Sequence, residues 1–502
     1  MMFPLLSLII FIPLLVGVIL LALPEERRGW IRGLALVGAL LTLVFSLVAY
    51  FGYDVSAGGY QFQERMPWLP ALGIGYHVGA DGISLPLLLL GGLVAVSGVL
   101  VSWRVEDRPR EFFAFLMFLV ASVQGVFASL DLFQLFFFFE LAVFPKYLMI
   151  VLWGSPKTRN YGGMKLTLYL FLGSVVSLVA ALAVYFGSGL HTFDLIELQQ
   201  AGLAKDFQYF WLPFLFIGFA LLSGIFPLHS WAPDGHVAAP TAISMLLAGV
   251  EMKVGAFAAL RIAIELLPEG ARQWAWLILL LGTMNVVYGA LIALVQKDFK
   301  YVIGFSSVSH MGLVLMGFAT LNADGLLGAG MQMFSHGVMT ALFFAVVGMV
   351  YDRTHERDIS RLGGLVQRMP WAAVGFIIGG LVSMGMPGFS GFVAEYPIFM
   401  GVWRVQPVAA VVAALGILIT SGYILLVVRR VFFGELPAAL EQSGGSGRKV
   451  GMQRIEDVSW MDKVVIGMLA LIMIGLGWFP ALMTPWVQSG VQAVLAVLGG
   501  GQ

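Results

Sequence analysis

Apolar runs of 18 or more residues recur along nearly the whole chain, divided by short polar breaks. Each is long enough to cross a hydrocarbon core of roughly 30 Å as a helix. Counting them predicts about fourteen spans, at 4–23, 30–51, 83–103, 111–128, 131–153, 163–187, 209–247, 249–267, 273–295, 301–321, 325–351, 371–404, 407–430 and 464–488. The fold class expected is an all-α membrane protein. Basic residues test the count separately, because loops on the cytoplasmic side collect Lys and Arg. Loops after odd-numbered spans hold twenty of them, from Arg27 to Lys463 and including Lys300, Arg448, Lys449 and Arg454; the opposite loops hold only Arg65, Lys205, Arg272 and Arg404. Both termini are therefore expected outside, in a multi-pass protein of a bacterial inner membrane.

Two spans break the pattern. The seventh is too long for one straight crossing and is interrupted by Phe226-Pro227-Leu228-His229-Ser230-Trp231-Ala232-Pro233-Asp234-Gly235-His236. The twelfth is interrupted by Gly385-Met386-Pro387-Gly388-Phe389-Ser390-Gly391. Proline lacks a backbone donor and glycine has little helix propensity, so both stretches should unwind where protein or a water-filled cavity surrounds them. Broken helices in corresponding places of two halves point to a transport site near the midplane. The breaks lie five spans apart, and an odd offset inverts orientation, so spans 4–8 and 9–13 read as two inverted five-helix repeats. The expected organisation is 1–110 (spans 1–3), 111–267 (first repeat), 268–434 (second repeat) and 435–502 (a cytoplasmic loop and span 14).

Composition narrows the chemistry. The 502 residues are 60% hydrophobic and 11% charged, which excludes a water-soluble domain. There is no cysteine and no histidine cluster, so no disulfide, iron–sulfur, haem or metal site is expected, and redox chemistry falls to partners. No basic patch with interleaved aromatics suggests nucleic acid. The first run lacks a basic leader and a small-residue cleavage site, and reads as a retained helix.

Four basic residues fall inside spans: Lys146, Lys165, Lys253 and Arg261. An intramembrane charge costs about 2.5–3.5 kcal/mol on insertion scales, which makes each a functional candidate. Glu140 follows Leu135-Phe136-Phe137-Phe138-Phe139, roughly 14 Å into span five at 1.5 Å per residue. It reads either as a proton-binding carboxyl controlled by a movable cation or as half of a static ion pair. Lys253 lies deep in span eight, where a desolvated lysine can release its proton. Lys165, near the start of span six, reads equally as a relay or as a side chain snorkelling to the interface. Glu251 is two positions from Lys253 and roughly 200° around the helix, so each needs its own partner. Glu395 follows the break in span twelve, and His310 and His336 lie in spans ten and eleven, suited to a relay. Arg261 reads as a snorkelling anchor and Asp81 as the N-cap of span three. His229, Asp234 and His236 read first as caps for backbone groups freed by the break.

Tyr76-His77-Val78-Gly79-Ala80-Asp81-Gly82-Ile83-Ser84-Leu85-Pro86, Phe226-Pro227-Leu228-His229-Ser230-Trp231-Ala232-Pro233-Asp234, Ala239-Pro240-Thr241-Ala242, Ser306-Ser307-Val308-Ser309-His310-Met311-Gly312 and Pro387-Gly388-Phe389-Ser390-Gly391-Phe392 together resemble the antiporter-like, proton-translocating subunits of respiratory complex I, from about residue 70 to 430. Glu395, where sister subunits carry lysine, is similar to the M branch. The resemblance implies a non-redox translocase within an NADH-quinone oxidoreductase. NADH, FMN, iron–sulfur clusters and quinone would lie in partner subunits, and the chain would sit in the bilayer beside other antiporter-like and small membrane subunits. It implies a proton axis through Glu140, Lys253, His310, His336 and Glu395. Lys146, Lys165, Glu251 and His229 are auxiliary candidates. One match fails: the family's span-seven lysine, partner of the span-five glutamate, falls on Leu222, and Lys146 or Glu251 is expected to compensate. A hydrogenase-linked or cation-antiporter complex, or a scaffold subunit that has lost pumping, are the other readings.

Overall fold

The computed structural model describes residues 3–437 and 455–499, so Arg448, Lys449 and Arg454 lie outside the described residues. Among the described residues, thirteen helices are long and apolar enough to cross a membrane. They are spans one to eleven (Leu5–Ala22, Arg28–Gly52, Ser84–Val101, Pro109–Ala128, Leu132–Trp153, Arg159–Ser188, Lys205–Ser223, Thr241–Ile264, Pro268–Val295, Phe299–Ala319 and Ala323–Thr354), span thirteen (Pro407–Phe432) and span fourteen (Trp460–Trp478). Span twelve is two half-helices, Pro370–Ser383 and Ser390–Val405, divided at the expected Gly/Pro stretch. The expected all-α membrane architecture is what forms.

Some boundaries move, for local reasons. Span seven was expected to run to 247. Instead it unwinds after Ser223, resumes as the short helix Trp231–Ala238, and stops before Pro240, which stands at the N-cap of the helix opening span eight at Thr241. Proline is favoured at such a boundary because it cannot continue the preceding helix. The expected run 464–488 likewise divides into Trp460–Trp478, a turn at Pro480–Leu482, and a last helix, Thr484–Val497. Between spans two and three lies an antiparallel hairpin, Gln61–Leu69 with Ile74–Ala80, that the hydrophobic pattern did not signal. Gly73 turns it at φ 70°, the left-handed region where glycine carries no steric penalty.

Spans eight and eleven are buried throughout their most apolar stretches, whereas only a third of that stretch in span thirteen is buried. Span eleven packs against spans three, eight, ten, twelve and fourteen and against the C-terminal helix. Where spans eight and eleven cross, a Cβ added at Gly337 would lie 2.6 Å from the Gly249 carbonyl oxygen. The two backbones touch, and no larger residue fits between them.

Side chains supply several of the backbone groups freed by the break in span seven. Asn285, from span nine, accepts from the Phe226 amide and donates to the Gly224 carbonyl at 2.8 Å, while the Trp231 indole donates to the Leu221 carbonyl at 2.9 Å. These bonds do the capping that His229, Asp234 and His236 were expected to do. The His229 ring instead stacks on Phe226, and Asp234 accepts from Lys165 and from the Tyr301 hydroxyl, each at 2.7 Å.

Candidate functional site

Three contacting pairs of buried ionisable groups run through the centre of the molecule. In the first, Lys146 of span five meets Glu251 of span eight through Nζ and Oε2, both side chains almost fully enclosed. Phe139, Leu170, Leu222 and Val254 help line the small cavity around them. Glu251 ends the π-helical turn Leu247–Glu251, a widening of the helix that often accompanies functional sites. The expectation that Glu251 and Lys253 need separate partners is met: Lys253 reaches back to the Ala248 carbonyl and contacts His336 Nδ1 at 2.7 Å. That contact depends on the Gly249/Gly337 crossing, which brings the two backbones together.

His336 and His310 lie with ring centroids 5.5 Å apart. His310 then contacts Glu395 Oε1 at 3.3 Å through Nδ1 and Ser383 Oγ at 2.9 Å through Nε2. Gln332 donates to Glu395 Oε1 at 3.3 Å. A Cβ on Gly385, in the span-twelve break, would lie 2.7 Å from Glu395 Oε2, so the break makes room for the carboxylate. Lys253, His336, His310 and Glu395, drawn from four spans, are thus joined into one interior series.

Glu140 is placed elsewhere. It lies on the exposed face of span five beside exposed Phe137 and Phe144. Six residues at 100° each set Glu140 and Lys146 about 120° apart on a helix, so one can face inward while the other faces out. Lys146 is the one inside. Lys165 neither reaches this series nor snorkels freely; it pairs with Asp234. Arg261 is no interfacial anchor: it is buried between Asp81 and Glu265, bonding Glu265 at 2.8 Å. Asp81 also accepts from the Ser84 amide at 2.9 Å, as expected of an N-cap.

Sequence reasoning missed Lys300 and read His236 first as a cap. Lys300, counted with the loop residues, is buried at the start of span ten, where it donates to the Ala239 carbonyl at 2.7 Å and to Ser244. Its signal was its position one residue after the helix's first residue, Phe299, with an apolar run following. His236 is fully buried, and neither ring nitrogen has a hydrogen-bond partner among the described residues. Among the same residues no group of acidic, histidine or cysteine side chains could hold a metal ion.

Residues 129–420 match the family described as NADH:quinone oxidoreductase/Mrp antiporter, transmembrane. The chain belongs to that antiporter-like family. Among its relatives, NAD(P)H-quinone oxidoreductase chain 4 of Gloeobacter violaceus is 36% identical over 96% of this chain and 91% of its own length. NADH-quinone oxidoreductase subunit M of Rhodobacter capsulatus is 35% identical over 97% and 95%. A chain of respiratory complex I from Thermus thermophilus superposes with TM-score 0.88 at 30% identity, covering 99% of this chain and 100% of that one. A chain of the Mrp complex from a Dietzia species shares the fold, with TM-score 0.83 at 20% identity over 98% and 99%. In this member of the antiporter-like family, Leu222 borders the cavity that holds Lys146 and Glu251.

Proposed function

We propose that the chain is the proton-translocating membrane-arm subunit of an NADH-quinone oxidoreductase, passing protons along Lys253, His336, His310 and Glu395 while electrons move through other subunits. The observation that carries this is the series itself, four titratable side chains from four spans in sequential contact or near contact inside a membrane fold. Lone buried ionisable groups are costly, and a run of them within reach of one another is a pathway by its geometry. Lys253 holds a proton that His336 Nδ1 can accept, and the carboxylate of Glu395 can receive it from His310. NADH, FMN, iron–sulfur clusters and quinone belong to partners in this reading. Both termini face outside, following the basic loops. Glu140, on the outer surface of span five, enters as a charge presented to an adjoining membrane subunit. The curated relatives favour this over the cation-antiporter reading, since the Mrp likeness speaks for the fold alone.

Glu395→Gln and Lys253→Met in the intact complex, assayed in inverted membrane vesicles, test it. Proton uptake per quinone reduced should fall sharply in both, with assembly preserved. Unchanged uptake in both would leave the scaffold reading.

A further inference from the structure

We propose that Lys146 and Glu251 form a charge gate acting on Lys253, taking the place of a span-five carboxylate facing a span-seven lysine with its polarity reversed. The inference rests on Lys253 being a proton station. Among the described residues, each of these side chains makes its polar contact only with the other: Lys146 bonds Glu251 Oε2, and Glu251 Oε1 has no partner. Arg261 is held differently, between two carboxylates that are themselves bonded to Ser84, Ile83 and Gln199. A pair joined by one contact can open and close; a cluster bonded on every side is a fixture.

Position makes the opening matter. Glu251 and Lys253 are two residues apart in span eight, at the end of its π-turn and on opposite sides of the helix, so the pair acts on Lys253 through its field across one turn of backbone and not by contact. While Lys146 is engaged, the carboxylate charge is cancelled and gives little support to a charged Lys253. When Lys146 withdraws, the carboxylate favours the Lys253 ammonium and a proton is held there. On reclosure that support goes, and the proton leaves: an N–H bond at Lys253 Nζ breaks and one forms at His336 Nδ1, giving a neutral amine and an imidazolium. Glu140 takes no part in this, because it faces outward, and Leu222 supplies no competing cation to the cavity.

Two double variants of the intact complex decide the matter, with proton uptake per quinone reduced measured in inverted vesicles and assembly followed by native electrophoresis. Lys146→Met with Glu251→Leu removes both charges and leaves neither orphaned; assembly should persist while uptake falls roughly two-fold or more. Lys146→Glu with Glu251→Lys keeps the tie between spans five and eight but puts a cation two residues from Lys253 where a carboxylate stood, and should leave uptake just as impaired. Full uptake in the apolar double variant, or full recovery in the swapped one, would show the pair to be structural and overturn the gate. So would loss of assembly in both, since the pair would then be a requirement of the fold. Lys253→Met separates the two readings: if it alone abolishes uptake while the apolar pair pumps normally, the gate fails and translocation stands; if it and Glu395→Gln both pump normally, translocation itself fails.

Discussion

Arg261 and Lys146 are both buried cations in a membrane span, yet their surroundings differ: Lys146 meets one carboxylate and Arg261 two. Arg261 sits among Asp81 and Glu265 and over the Tyr60 and Phe257 rings at 5.3 Å. Removing a partner from such a cluster leaves buried charge uncompensated, at a cost of about 3–5 kcal/mol. Arg261→Met should therefore reduce assembly and thermal stability, while complexes that do assemble translocate normally; comparing yield with uptake per assembled complex checks this. Gln332, which bonds Glu395 and stands 3.4 Å from His310, bridges two groups of the proposed pathway without being titratable itself. Gln332→Leu should slow uptake while Gln332→Glu, which keeps an acceptor but not the donor, should not restore it, as vesicle assays on both would show.

At the level of helices, the crossing of spans eight and eleven aligns Lys253 with His336. Gly337→Val forces those backbones apart although it alters no titratable group, so uptake should fall in an assembled complex. Gly467→Ala is the matched control, because a Cβ there meets nothing within 4 Å. Most helices were legible in the sequence for a plain reason: lipid offers no hydrogen-bond partners, so a long apolar run has one solution. Both breaks were legible from Pro227, Pro387 and the glycines near them. Helix facing was not. Glu140 and Lys146 occupy one short stretch, and which of them turns inward is decided by packing against Glu251, 105 residues away. The hairpin escaped notice because its polar and apolar residues follow no long-range period, and Lys300 because a basic residue near a helix end resembles a loop residue until its carbonyl partners are known.

Across the whole molecule, the C-terminal segment clasps the N-terminal spans. Tyr50 stacks on Trp486 at 4.8 Å, donates its hydroxyl to the Leu482 carbonyl at 2.6 Å, and accepts the Trp486 indole N–H at its own carbonyl at 2.9 Å. A Cβ on Gly82 would lie 1.7 Å from the Trp486 carbonyl oxygen, so that helix closes directly over the start of span three. Truncation after Phe479 should lower the yield of assembled complex far more than shortening an exposed tail would, as native electrophoresis of membranes can show. The Asn285 and Trp231 bonds across the break in span seven carry a different consequence. They tie the start of the unwound stretch to span nine and to the short helix that follows it, and in the proposed pathway proton movement beside it is left to side chains. Side-chain rearrangement is intrinsically quick, on picoseconds to nanoseconds when unhindered, against microseconds to milliseconds for collective motion of whole helices. The pace of this subunit would then be set by how often its charges are disturbed from outside, as an instrument with a stiff frame sounds only when struck.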